Sequence, residues 1–146
     1  MSLPTLENLV KIGQIKAEAR NDPEVRRLLD MSILRLADAG VADLSLDGRF
    51  TSAYNAAHAA SLAALRWHGY RSENRYIVFQ CLTHTLSWPA ESWRVLDAAH
   101  RKRNLAEYEG YIEVEESAIA ELCALVGRLI ANVETLISAG VKGAAK

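Results

Sequence analysis

The sequence predicts an all-α fold, an antiparallel bundle of about five to six helices, and three features carry that expectation. Apolar residues between Ile119 and Ile137 recur at spacings of three and four. Asp22-Pro23-Glu24 reads as a helix start and is followed by the same periodicity. The stretch from Gly48 to Trp67 is crowded with alanine, which lets a neighbouring helix come close. The 146 residues suit one compact domain spanning residues 1–146, and no sheet is expected.

Along the chain, Leu6, Leu9, Val10 and Ile15 give Thr5–Ala19 a weak helical pattern. In the next helix Asp22 can cap, Pro23 suits the first helical position and Glu24 favours the positive end of the dipole. Its apolar stripe is Val25, Leu28, Leu29, Ile33, Leu36 and Ala37, and Gly40 ends it. Residues 41–47 read as a loop. Gly48–Trp67, carrying Ala53, Ala56, Ala57, Ala60, Ala63 and Ala64, is expected at the centre of the bundle, with Gly69 as its stop. Within Glu73–Leu86, Tyr76-Ile77-Val78-Phe79 favours a strand by propensity. With no partner strand available, a helix is expected. Trp88-Pro89 opens a helix to about residue 107, with Glu91 early and Arg101, Lys102 and Arg103 late, as the dipole prefers. Glu113–Glu116 reads as the solvated start of the last helix. That helix buries Ile119, Leu122, Val126, Leu129, Val133 and Leu136, with Cys123, Ile130 and Ile137 beside them, a seam too broad for a plain coiled coil. Gly140 is the expected stop and 141–146 a disordered tail.

Half of the residues are hydrophobic, and the formal net charge of −1 supplies no global field to recruit nucleic acid. Any such contact has to come from a local patch. Cys81 and Cys123 sit in apolar helical patterns, where a reduced thiol behaves as a small hydrophobe, which suits the cytoplasm. Met1–Leu9 lacks the features of a secretory signal, and the apolar runs look too short for a membrane span. His68, His84 and His100 lack metal-ligand spacing, so neither a metal nor a cofactor is expected. Trp67, Trp88 and Trp93 lie near helix ends, where they either close the bundle or form a platform for stacking bases.

One feature conflicts with simple burial. On a helix starting at Pro89, Val95, Leu96, Ala99 and Ala106 share a face, and Arg103 falls in the middle of it. A guanidinium cannot shed its proton, so it must meet a carboxylate, point into a cleft, or lie at a subunit interface open to an anion. Arg94, Arg101, Lys102 and Arg103 make this segment locally cationic.

The run Arg103-Asn104-Leu105-Ala106-Glu107-Tyr108 resembles the signature of the HEPN family, an arginine followed by a polar residue and then a histidine. Tyr108 stands where that histidine is expected. Arg49-Phe50-Thr51-Ser52-Ala53-Tyr54-Asn55-Ala56-Ala57-His58, with the apolar helix and Gly69-Tyr70 after it, resembles the family's second core helix. The likeness spans roughly residues 25 to 138. It implies a helical homodimer of toxin–antitoxin or other RNA-targeting systems, with a nucleotidyltransferase as a partner protein in many relatives. Active members are metal-independent endoribonucleases in which the RNA 2′-hydroxyl attacks the phosphorus. Arg103 would then stabilise charge on the phosphorane through its planar fork, and Asn104 would orient the phosphate or base.

The catalytic candidates are thus Arg103, Asn104 and Tyr108, with His100 or His58 as a surrogate base. The candidates for contacting nucleic acid are Arg103, Asn104, Arg101 and Lys102. A phenol with a pKa of about 10 is a poor base at neutral pH, and general-base catalysis is worth about 10²–10⁴ in rate. The reading is therefore an RNA- or nucleotide-binding module with weak or no nuclease activity. A metal-independent endoribonuclease and a non-catalytic protein-interaction domain are the alternatives. Tyr108 can equally stack on a base or pack under the helix end, and His58, on the face of Tyr54, can equally be a hydrogen-bonded core residue.

Overall fold

In a computed structural model, which describes residues 4–144, the chain is an all-α bundle. The order is α1 (Pro4–Lys11), β1 (Lys16–Ala17), α2 (Asp22–Ala39), α3 (Leu46–Trp67), β2 (Tyr70–Arg71), α4 (Arg75–Gln80), α5 (Leu82–Thr85), α6 (Ala90–Glu109) and α7 (Glu116–Ala144). α4 and α5 form one stretch broken at Cys81, within the helix expected over Glu73–Leu86.

The alanine-rich α3 is the central element, packed against α2, α4, α5, α6 and α7. Ala53, Ala56, Ala57, Ala60, Ala63 and Ala64 are all buried in the main core. Their small size brings α2 close enough for Ser32 Oγ to donate to the Ala56 carbonyl at 2.7 Å. Arg49 ties three elements together: its Nε donates to the Ala39 carbonyl at the end of α2, and its Nη1 pairs with Glu116 at the start of α7. Ile119, Leu122, Leu125, Val126, Leu129, Ile130 and Val133 are the part of α7 that enters the same core.

Several boundaries move from their expected places. The first helix ends at Lys11 rather than Ala19, because Gly13 adopts a φ of 78° that turns the chain. Ile15 then drops into a second, smaller cluster with Leu6, Leu65, Tyr70, Ile77, Val78 and Cys81. Contrary to expectation there is a sheet, two residues per strand, with Lys16 opposite Arg71 and Ala17 opposite Tyr70. The cap of α2 is Asn21, not Asp22: the Asn21 side-chain oxygen Oδ1 accepts from the Glu24 amide at 3.0 Å. Ile33 and Ala37 face solvent, and Ser32 and Ala39 take the interior positions. Ser45 caps α3 through the Gly48 amide, so the helix starts at Leu46 and shortens the expected loop. Val95 is exposed, and the buried line of α6 is Trp93, Leu96 and Ala99. Gly140 does not end α7, which runs on to Ala144; residues 145–146 of the expected tail lie outside the described residues. Glu116–Ala139 is also long and apolar enough to cross a membrane by length and composition, against the expectation that no such stretch exists. Its apolar character is accounted for in part by the seam buried against α3.

The tryptophans close the bundle and form no surface platform. Trp88 and Trp93 are buried, with Trp88 Nε1 donating to Asn132 Oδ1 at 2.8 Å, and Trp67 packs on the core under the Arg20 guanidinium.

Candidate functional site

α6 leaves the core gradually. Its first half is anchored by Trp93, Leu96 and Ala99, whereas on its second half the inward face carries His100, Arg103 and Ala106, all partly buried. The helix closes at Gly110, whose N–H donates to the Ala106 carbonyl at 2.7 Å and whose φ of 84° then turns the chain out of the helix. That second half runs beside Tyr54 of α3.

Tyr54 is the hub. Its ring is fully buried, and its hydroxyl lies 2.8 Å from His100 Nδ1 and accepts from Arg75 Nη1 at 3.1 Å. His100 Nε2 faces the Asn104 amide at 3.2 Å. Two proton arrangements satisfy this chain. Either Asn104 donates to Nε2 and Nδ1–H donates to Tyr54, or the amide is rotated, Tyr54 donates to Nδ1 and Nε2–H donates to Asn104. In both, the imidazole is neutral. Burial holds the His100 pKa below the ordinary histidine value; Asp97 opposes the shift, and the Arg75 and Arg103 charges reinforce it. His58 is more extreme: burial first, then Arg75 and His100, bring it down to about 4. Its ring sits edge-on to Phe79.

Two guanidiniums flank the same phenol, the Arg75 and Arg103 Cζ atoms each 5.4 Å from the Tyr54 ring centre. Arg103 is 32% exposed and makes only a long, 3.7 Å contact with Glu107, itself 67% exposed. Among the described residues Arg75 has no carboxylate partner. Neither cation is sealed by an acid. Arg103 also lines an open groove of about 480 Å³ with Asp47, Gly48, Thr51, Ala106, Glu107 and Ile112. In that wall Asp47 Oδ1 has no hydrogen-bond partner.

The structure thus brings together four of the expected residues, Arg103, Asn104, His100 and His58, and separates the others. Tyr108 is 90% exposed, so it neither packs under the helix end nor touches the histidine chain. Arg101 pairs with Asp97 and Lys102 Nζ donates to the Glu113 carbonyl, and both line a second groove of about 620 Å³ on another side of α6. They do not share Arg103's groove. Glu113 belongs to the connection before α7, which begins only at Glu116. The sequence pattern alone does not mark Tyr54 or Arg75 as site residues. The available signal for Arg75 was a cation on the first residue of a helix, where the dipole disfavours it.

Other chemistries find little support. Burial raises the Cys81 thiol to about 11 and also raises Cys123, so both stay protonated. Among the described residues no group of three or more His, Cys, Asp or Glu side chains is placed to hold a metal ion. No protein family matches the chain, and no curated protein or solved structure matches it.

Proposed function

We propose that the chain is a HEPN-like RNA- or nucleotide-binding module with weak or no nuclease activity. On this reading it is a cytoplasmic homodimer in a toxin–antitoxin or defence system and works with a nucleotidyltransferase partner. The observation that carries the proposal is the half-buried Arg103 guanidinium, held over Tyr54 at an open groove, where its carboxylate contact is the long one to the exposed Glu107. A phosphate satisfies such a fork with two parallel hydrogen bonds. The unpartnered Asp47 oxygen suits a donor on the same ligand, a sugar hydroxyl or a base amino group.

Arg103→Ala is expected to keep the melting temperature within about 2 °C, since exposed or half-exposed contacts are worth little. It is expected to weaken binding of a fluorescent single-stranded RNA by at least about tenfold at low salt. Anisotropy titration reads this directly, and unchanged binding would remove the proposal. Arg75→Gln tests the second cation in the same assay.

The chain from Tyr54 through His100 to Asn104 favours one further reading, a metal-independent endoribonuclease with His100 as base. His100 Nε2, when it holds a lone pair, would take the 2′-hydroxyl proton as that oxygen attacks phosphorus. The 5′-oxygen would leave with a proton from water, giving a 2′,3′-cyclic phosphate. RNA incubated with protein in EDTA is expected to gain cyclic-phosphate ends that fall about 10²-fold or more in His100→Gln. Cleavage that equals the variant's in every preparation excludes this reading.

A further inference from the structure

The outward face of α2 is apolar at its middle and charged on both sides, in an order that reads the same under a two-fold rotation. Arg27, Met31, Leu34 and Asp38 recur at four, three and four residues and so form one line along the helix. That line lies opposite the buried Val25, Leu29 and Ser32. Met31 and Leu34 are 49% and 57% exposed, which is unusual for large side chains so near one another on a helix that already has a full inner stripe. Asp30 and Arg35 flank them. Among the described residues Arg27 has no carboxylate partner. Asp30 and Asp38 hold only local partners on their own helix, Arg26 and Arg35.

We infer that this face pairs with the same face of a second copy, the two α2 helices antiparallel about an axis midway between Ser32 and Ile33. With that axis Met31 meets Leu34 of the other copy, Arg27 meets Asp38, and Asp30 meets Arg35, each contact occurring twice. An isologous interface requires this self-complementarity, and a helix face of arbitrary charge order does not supply it. A parallel pairing would set like charges against each other. One helix face is at the small end of specific interfaces, so the dimer forms with a dissociation constant of about micromolar order. The inference names the surface for the dimer proposed above and does not depend on RNA binding, which the Arg103→Ala titration tests separately.

Sedimentation velocity over about 1–200 µM reads the equilibrium, and circular dichroism checks that each variant folds. Arg27→Asp and Asp38→Arg, each alone, set like charges opposite one another and are expected to weaken self-association at least about tenfold. Mixing the two single variants restores opposite charges at both contacts, so the mixture is expected to dimerise as the parent does. Met31→Glu, which leaves the ion pairs of the helix in place, is expected to give monomer. A parent that stays monomeric throughout, or a dimer whose constant none of these substitutions moves, overturns the inference. So does a mixture that remains monomeric.

Discussion

Arg66→Ala is expected to lower folding stability by about 3–5 kcal/mol, the usual loss when one partner of a buried charge pair is removed. The side chain is 1% exposed. Its Nε donates to Glu24 Oε1 at 2.6 Å, Nη1 to the Glu18 and Tyr70 carbonyls at 2.8 and 3.3 Å, and Nη2 to the Ala19 carbonyl at 2.7 Å. One guanidinium therefore fastens the chain before α2, the first turn of α2 and the start of β2 onto the end of α3. Truncation leaves the Glu24 carboxylate with only Arg71, and leaves carbonyls facing a void without their donor. In a domain of this size the loss corresponds to a melting temperature lower by about 10–15 °C. Arg66→Lys is expected to recover only part of it, because a point charge cannot serve acceptors spread around a planar fork. A scanning-calorimetry shift under about 3 °C for the alanine variant would show that the cluster is not a fastening at all.

Acid is expected to unfold the protein from an unusually high pH. Burial brings His58 down to about 4 in the folded chain from an ordinary 6.5, and His68, His84 and His100 are all lowered too. Because these folded values are depressed, the unfolded chain binds protons first as pH falls. The stability is fully present above about pH 6.5 and is lost progressively toward pH 4. The slope from His58 alone approaches about 1.4 kcal/mol per pH unit, up to roughly 3 kcal/mol in total. Glu24, held below its ordinary value chiefly by the hydrogen bond from Arg66, acts with the same sign lower down: its contribution is present above about 4.5 and disappears under it. Urea unfolding at pH 7.5 and 5.0 measures the first effect, and His58→Gln is expected to flatten most of it. Equal midpoints for the parent at both values would contradict the buried, neutral state of His58.

The helical architecture was readable because it rests on periodicity and punctuation. The seam of α7, the alanine face of α3 and the stop at Gly40 each follow from residue types at fixed spacing. What could not be read was decided by tertiary partners. A two-residue strand has no period, so β1 and β2 exist only because Lys16–Ala17 happens to lie beside Tyr70–Arg71. At the site, Arg103 was legible as a cation on an interior line, and His100 and Asn104 as its near neighbours on one helix. The distance along the chain hid the rest: Tyr54 lies 46 residues before His100 and 21 before Arg75. Arg66, three residues after Ala63 on the buried face of α3, is a cation on an interior line just as Arg103 is. In one case the fold supplied an acid, in the other it left the position open, and no local pattern distinguishes them.

The uneven anchoring of α6 makes it a cantilever. Its fixed root is the Trp93 and Leu96 end, and its overhang carries His100, Arg103 and Asn104. What ties the overhang to the body is polar, the bond between His100 and Tyr54 and the bond from Lys102 to the Glu113 carbonyl, so the tip is held by fewer apolar contacts than the root. Exchange of the α6 amides with solvent is therefore expected to be faster beyond His100 than before Leu96.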